Sequence, residues 1–433
     1  MSYQKNIIWT FVGLSIPVIF GAIAVPFLLS GYGVTRFGLL TIAYAIIGYA
    51  SIFDMGLSRA VTRSVSIRIN GGRSGEIPSV VSFSRKASFL FGGLTFVGLW
   101  TMQTNNPGEI LKYPPHLQDE VSNSFLWLAI GMPILMTSSL LRGIHEAFSR
   151  FKLINSLRIF QGIANFGIPL ALLSNSKNVS IAISTLVGVR LLTWIIYELS
   201  LNRILRNLPN TMTHSPKRLW REIFSQSIWI TLSSILSPLM INADRFLIAA
   251  IIGSSWVAYY TTPLDTMIQA LIIPGAFSSV AYSEFCRDLA ANRQSLEKKL
   301  AWSQRTIFII MGPLCLLAFF TGPDLMRIWT GPEFASKSGL VSSIIAVGIL
   351  FNSLAVVPYG LIQAAGRADA TAKIHICEFP LYATAAVVAL QTNGIVGLAC
   401  TWSIRMAIDY IAMTLFSRRL LSSMQYHNAE ETT

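Results

Sequence analysis

The stretch NIIWTFVGLSIPVIFGAIAVPFLLS, residues 6–30, decides the fold class. A lysine precedes it and an Ala-x-Ala run ends at Ala24, so its first part has the outline of a secretory leader. The apolar run nevertheless continues through Val25–Ser30, beyond the roughly 7–15 residues of a leader's apolar region. It reads instead as a first membrane-crossing helix that is kept, since about 20 apolar residues span the hydrocarbon core.

The rest of the chain agrees. Of 433 residues, 53% are hydrophobic and 12% charged, against about 25% charged in soluble domains. A soluble protein of this size has too few charges here to clothe a surface, so the chain reads as an integral membrane protein that crosses many times. Twelve segments reach span length: roughly 6–29, 37–57, 87–104, 121–147, 157–175, 179–201, 224–252, 257–281, 304–322, 339–364, 374–390 and 395–417. Prolines such as Pro17, Pro133, Pro263 and Pro358 fall inside them. Proline bends a helix and frees a carbonyl, which bundles tolerate where neighbours or water satisfy it. The pattern suits a bundle around a wet cavity.

Lysine and arginine give the orientation. With the N-terminus placed in the cytoplasm, 25 of the 33 Lys and Arg fall on cytoplasmic segments and five outside, at Arg36, Lys112, Lys177, Arg327 and Lys337. Both termini are then cytoplasmic. The net charge of +13 reports this asymmetry and contact with anionic lipid; the chain has no soluble basic domain for nucleic acid. Single cysteines placed in 105–120 are expected to react with an impermeant thiol reagent on intact cells, and those in 208–216 only after permeabilisation. The opposite pattern would invert the topology.

The chain also repeats itself. At an offset of 217, GIHEAFSR (143–150) lies on GLIQAAGR (360–367); at 220, Trp9, Gly33 and Thr41 meet Trp229, Gly253 and Thr261; at 215, Arg190 meets Arg405. The expected organisation is therefore an N-terminal six-helix bundle (1–201), a cytoplasmic linker (202–223) and a C-terminal six-helix bundle with a cytoplasmic tail (224–433). The fold class is an all-α polytopic membrane protein, with twelve transmembrane helices in two parallel six-helix halves around a central cavity.

Three arginines fall in mid-span: Arg190, Arg245 and Arg405. An arginine at the bilayer centre costs at least about 2.5–3.5 kcal/mol, and such residues usually face the bundle interior. Either each is neutralised locally, Arg190 by Glu198 and Arg405 by Asp409, or both meet an anionic substrate in a shared cavity.

Three stretches carry a family resemblance. SIFDMGLSRAVTRSVS (51–66), NADRFLIAAIIG (242–253) and QAAGRADATAKIH (363–375) resemble motifs of the polysaccharide-unit flippases, the Wzx type of the multidrug/oligosaccharidyl-lipid/polysaccharide exporter superfamily. Ala258 departs from the pattern, where relatives often carry glycine. The resemblance covers essentially the whole chain. It implies alternating-access transfer of an undecaprenyl-pyrophosphate-linked oligosaccharide from the cytoplasmic to the periplasmic leaflet of a bacterial inner membrane, for O-antigen, capsule or exopolysaccharide synthesis. It also implies membrane lipids, a polysaccharide polymerase and a chain-length regulator as partners. The alternatives are a cation-coupled multidrug antiporter of the same superfamily, for which a carboxylate-dominated cavity is expected, or a lipid II flippase, whose relatives usually carry two further spans.

The residue types fit an anionic head group. Arginine offers a planar fork for phosphate oxygens and keeps its charge, so Arg190, Arg245 and Arg405 are the substrate-binding candidates. Arg59 and Arg63 share a helix face at the inner mouth of the second span, where Asp54 precedes them; they form either a solvated patch that sets topology or a candidate landing site for the head group. Asp265, beside Pro263, with Glu378 and Asp409, are the candidate ion-coupling carboxylates, because an acid held away from water and cations exchanges protons in a working range. Asp244 and Arg245 are adjacent and so point about 100° apart on a helix; one is expected to face a cavity and the other a neighbour. His145 and His375 read as interfacial. Cys315, Cys377 and Cys400 read as small core residues, and Cys286 lies in a charged segment; no disulfide or metal-ligand spacing is present. No phosphate-cradling glycine loop occurs, so the chain reads as a secondary transporter without cofactor rather than an enzyme.

Overall fold

The computed structural model describes residues 3–53, 56–110, 113–209, 216–253, 256–291 and 293–430. Asp54, Lys112 and the middle of the expected linker, 210–215, lie outside the described residues.

The described chain is helical throughout. It runs α1 (Tyr3–Phe53), α2 (Leu57–Asn70), α3 (Ile77–Thr104), a short α4 (Pro107–Ile110), α5 (Gln118–Ala147), α6 (Phe151–Leu172) and α7 (Val179–Arg206). It continues with α8 (Pro216–Ile251), α9 (Val257–Ile268), α10 (Ile272–Ala291), α11 (Arg293–Thr330), α12 (Pro332–Ala364) and α13 (Ala368–Glu430). Seven helices among the described residues are long and apolar enough to cross a membrane. One of them, Ala368–Ser423, has 56 residues, about 80 Å of helix and far more than one bilayer. Gly394, at φ 58° and ψ −146°, breaks it. Gly33 breaks α1 in the same way, at φ 76° and ψ 164°, a backbone state that only glycine enters without strain. The expected apolar segments thus fall on helices, while the count that meets length and composition among the described residues is seven rather than twelve.

By contact the chain divides into two compact units, Met1–Ile228 and Trp229–Thr433. In the first, Leu28 and Leu40 of α1, Phe125 and Leu128 of α5, and Ile183 of α7 pack in one buried cluster. Glu120 fastens one end of it. Its carboxylate pairs with Arg36 at 3.1 Å and accepts the Val179 N–H at 2.6 Å, so a negative charge caps the N-terminus of α7. In the second unit, α12 is the most enclosed helix, with Val341, Ile345, Ile349 and Leu361 buried. Its Gly348 receives the Trp402 ring; a Cβ there would stand 2.3 Å from a ring carbon. Gly348→Ala is therefore expected to destabilise the protein by about 1–3 kcal/mol, read as a lower melting temperature in detergent; an unchanged value would show that Trp402 can move aside.

Large apolar side chains such as Phe320, Leu381, Phe89 and Ile19 are exposed. In water they would form aggregating patches; in a bilayer they meet acyl chains. Of the cysteines expected in the core, Cys315 is buried, Cys400 half-buried and Cys377 exposed; Cys286, in its charged segment, is fully buried on α10. The charge on neighbouring residues does not decide which way one side chain turns.

The repeat has a backbone counterpart. At the end of α5, Phe148, Ser149 and Arg150 donate their N–H groups to the carbonyls of Ile144, Glu146 and His145. At the end of α12, Ala365, Gly366 and Arg367 donate to Leu361, Gln363 and Ile362. Every partner is shifted by the same 217 residues, and Ser149 and Gly366 both have positive φ, 54° and 83°. The two stretches build the same turn.

Candidate functional site

Helix α6 carries a polar stripe. Asn155, Arg158, Gln161 and Asn165 recur at three- and four-residue spacing and so share one face. The Asn155 amide donates to Thr10 Oγ1 on α1 at 3.2 Å, and Arg158 Nη1 donates to Asn155 Oδ1 at 3.0 Å. Further along, Gln161 donates to Thr193 Oγ1 at 2.7 Å, and Asn165 Oδ1 accepts from Arg190 Nη2 at 3.0 Å. The stripe covers about 15 Å of helix axis and ends on Arg190.

Arg190 is half-buried, and its Nε is buried without a hydrogen-bond partner. No carboxylate among the described residues pairs with it. Glu198, its expected local partner, instead holds Arg85 of α3 at 2.7 Å. No described carboxylate therefore offsets the guanidinium charge, and an amide oxygen is its hydrogen-bond acceptor.

Arg405 differs. It is buried on α13, 3.7 Å from Glu378 Oε2, and its guanidinium lies over the Tyr382 ring at 5.2 Å. Asp409, the expected partner, faces His375 at 3.6 Å. His375 Nδ1 is 2.8 Å from Ser233 Oγ, and the ring stacks on Tyr359. Beside them Asp244, fully buried, accepts hydrogen bonds from Tyr260 at 2.9 Å and Tyr382 at 2.6 Å. The second unit thus gathers three carboxylates, one arginine and one histidine, with Asp244, His375 and Arg405 buried and Glu378 and Asp409 half-buried. Both Glu378 oxygens, Asp409 Oδ1 and Arg405 Nε lack hydrogen-bond partners. The charges are gathered but stand beyond hydrogen-bond length, an arrangement that can take a proton or a small cation. One ligand atom each from His375, Glu378 and Asp409 lies within 4.8 Å of the others.

The remaining candidates sit apart from this cluster. Arg245 pairs with Asp265 at 2.6 Å, and both side chains are exposed. The premise of a carboxylate without a close cation therefore fails at Asp265; Glu378 and Asp409 are the acids that sit in a buried cluster. The expected divergence of Asp244 and Arg245 is observed, the acid turning inward and the arginine outward. Arg59 is exposed and Arg63 half-buried on α2, whose opposite face buries Leu57, Val61 and Val65. Both histidines are buried within the protein. His145 is buried and its Nε2 donates to the Tyr197 carbonyl at 3.0 Å, tying α5 to α7; His375 belongs to the acidic cluster.

Known proteins resemble this chain at both levels. A curated putative O-antigen transporter from Shigella flexneri is 28% identical over 426 residues, 98% of this chain and 99% of its own length. Among solved structures, a Vibrio cholerae MATE transporter, VcmN, in its bent form superposes with TM-score 0.83 at 15% identity, over 98% of each chain. A MOP-superfamily transporter from Pyrococcus furiosus, noted for the reverse polarity of its binding pocket, gives TM-score 0.77 at 14% identity over 98% of this chain and 97% of its own. At those identities the structures establish the fold, which is that of MATE transporters. The sequence model described as polysaccharide biosynthesis protein matches residues 3–282, and the chain belongs to that family.

Proposed function

We propose that the protein is a flippase that moves a polyprenyl-pyrophosphate-linked oligosaccharide, with undecaprenol as the carrier, from the cytoplasmic to the periplasmic leaflet. The observation that carries this reading is Arg190, a mid-helix guanidinium at the end of a polar stripe with no carboxylate partner among the described residues. A membrane chain retains such a charge when something anionic meets it. A pyrophosphate cannot enter hydrocarbon bare, and a planar guanidinium matches two of its oxygens at once. Arg158, halfway along the stripe, supplies a second positive charge. The lipid tail stays in the bilayer while the head group follows the stripe. Family membership and the named relative support this cargo class, and a polymerase and chain-length regulator are its expected downstream partners.

The second unit supplies the coupling. Glu378 and Asp409, beside Asp244 and His375, exchange a proton or sodium ion, while Arg405 keeps the buried charge near balance. The two repeated arginines have then diverged, Arg190 toward cargo and Arg405 toward the ion. The residue ranges 1–201 and 224–433 are the proposed halves between which access alternates.

Proteoliposomes loaded with a fluorescent polyprenyl-pyrophosphate oligosaccharide test both parts. Transfer is expected to rise with an imposed cation gradient. Glu378→Gln and Asp409→Asn should bind the probe normally yet lose the gradient dependence, whereas Asp265→Asn should keep it. Probe transfer no faster than in protein-free vesicles would refute the flippase reading, and gradient dependence lost only in Asp265→Asn would move the coupling site.

A further inference from the structure

The first unit has an apolar groove on the side of α3, α5 and α7, separate from the polar stripe of α6. Its volume is about 710 Å³, within the range of small-molecule sites. Pro133, Ile134 and Thr137 of α5 lie along it. Phe89 and Leu90 of α3 border one side, and Leu191 and Trp194 of α7 the other. All but Trp194 of these four border side chains are exposed. Toward mid-helix α3 and α5 close on each other: a Cβ on Gly92 would meet Pro133 Cα at 2.6 Å. From Arg85 to Gly92 is about 10 Å of helix, most of the roughly 15 Å depth of one leaflet. The groove therefore has a closed inner end and an open end.

The open end is polar and lies where α3 begins and α7 finishes, the side expected to face the cytoplasm. Arg85 and Lys86 of α3 and Glu198 of α7 line it. Glu198 is spent on Arg85, at 2.7 Å, and accepts from the Asn202 amide at 3.3 Å. Lys86 is exposed and supplies the surplus positive charge. Two donors in the same wall have no acceptor among the described residues: Arg85 Nε and Trp194 Nε1 are buried without hydrogen-bond partners there. Trp194 sits one turn deeper than Glu198, so the groove offers a cation at its mouth, an indole N–H just inside and apolar walls beyond.

We infer that this groove holds one anionic phospholipid of the cytoplasmic leaflet. The phosphate meets Lys86 and Arg85, an ester carbonyl takes the Trp194 N–H, and an acyl chain lies against Phe89, Ile134 and Leu191. That order of groups along the groove is the order of groups along a phospholipid. A buried donor left without an acceptor is costly, and an ester carbonyl at this depth satisfies one where water is scarce. The inner leaflet supplies the negative charge. This lipid is not the cargo, and the inference stands whatever the transporter carries.

Native mass spectrometry of the full chain, titrated with phosphatidylglycerol or with phosphatidylcholine of the same acyl chains, tests the assignment. Wild type should retain one phosphatidylglycerol more tightly than any phosphatidylcholine. Lys86→Glu should weaken that adduct by about tenfold and leave phosphatidylcholine unaffected. Trp194→Phe, which removes only the donor, should weaken it severalfold, and Leu191→Trp, which fills the groove at a lipid-facing position, should abolish it. Equal retention of phosphatidylglycerol by wild type and by all three variants would overturn the site. Equal retention of both lipids by wild type would overturn the anionic assignment, and displacement of phosphatidylglycerol by polyprenyl phosphate would reassign the groove to the cargo tail.

Discussion

Replacing Arg190 by alanine is expected to lower transport on the order of 100-fold while the protein accumulates at its normal level. The magnitude follows from a charge-assisted contact worth about 1.5–3 kcal/mol, lost without a substitute. The normal abundance follows from what Arg190 touches. It donates to Asn165 and pairs with no described acid, so its removal strands no buried carboxylate, and losing a mid-span charge eases insertion. Arg190→Lys should recover only part of the activity, since an ammonium keeps the charge but loses the fork. Arg158→Ala should slow transfer less. If both arginines contact one pyrophosphate in sequence, the double variant should fall short of the summed losses, as groups acting together do. Wild-type glycan assembly in Arg190→Ala cells would remove the arginine from the mechanism.

Arg405→Ala should fail in the opposite way, by loss of protein. Glu378 would be left buried with both oxygens unbonded, beside Asp409 and without its cation. Breaking one side of a buried pair costs about 3–5 kcal/mol, which is comparable to the whole stability of many domains. Quantitative immunoblotting of membranes should show the variant depleted severalfold, and Arg405→Ala with Glu378→Gln should restore its level. Replacing both partners removes the stranded charge, which is often close to neutral for stability. The restored double variant should still lack gradient-driven transport, because the cluster has lost an acid. Undiminished Arg405→Ala protein would show that the pair at 3.7 Å contributes little.

The contrast between these two arginines was not legible in the sequence. They repeat at one offset and sit in similar apolar runs, and reasoning along a single helix assigns Glu198 and Asp409 as their partners. The acids are claimed from elsewhere: Glu198 by Arg85, 113 positions away in the chain, and Asp409 by His375. Helical spacing constrains neighbours within a turn or two, but partners across helices depend on rotation and depth, which one strand of text does not encode. Features governed by local periodicity were readable. The apolar runs fall on helices, and Asp244 and Arg245 diverge as adjacent helical residues must. The stripe Asn155–Arg158–Gln161–Asn165 was readable in principle from its spacing. It escaped notice because each polar residue only briefly interrupts an apolar segment.

The matching turns at 144–150 and 361–367 have a mechanical consequence. Each clamps the end of one long helix to the start of the next through three backbone hydrogen bonds, so the joint resists bending. Gly33 and Gly394 are different: a side-chain carbon placed on either would touch nothing within 4 Å, so open space lies beside each break. When the helices change shape, the α5–α6 and α12–α13 joints should therefore swing as stiff elbows, while the bending concentrates at the two glycine breaks. The duplicated turns thus act as levers, and the two glycine breaks as pivots.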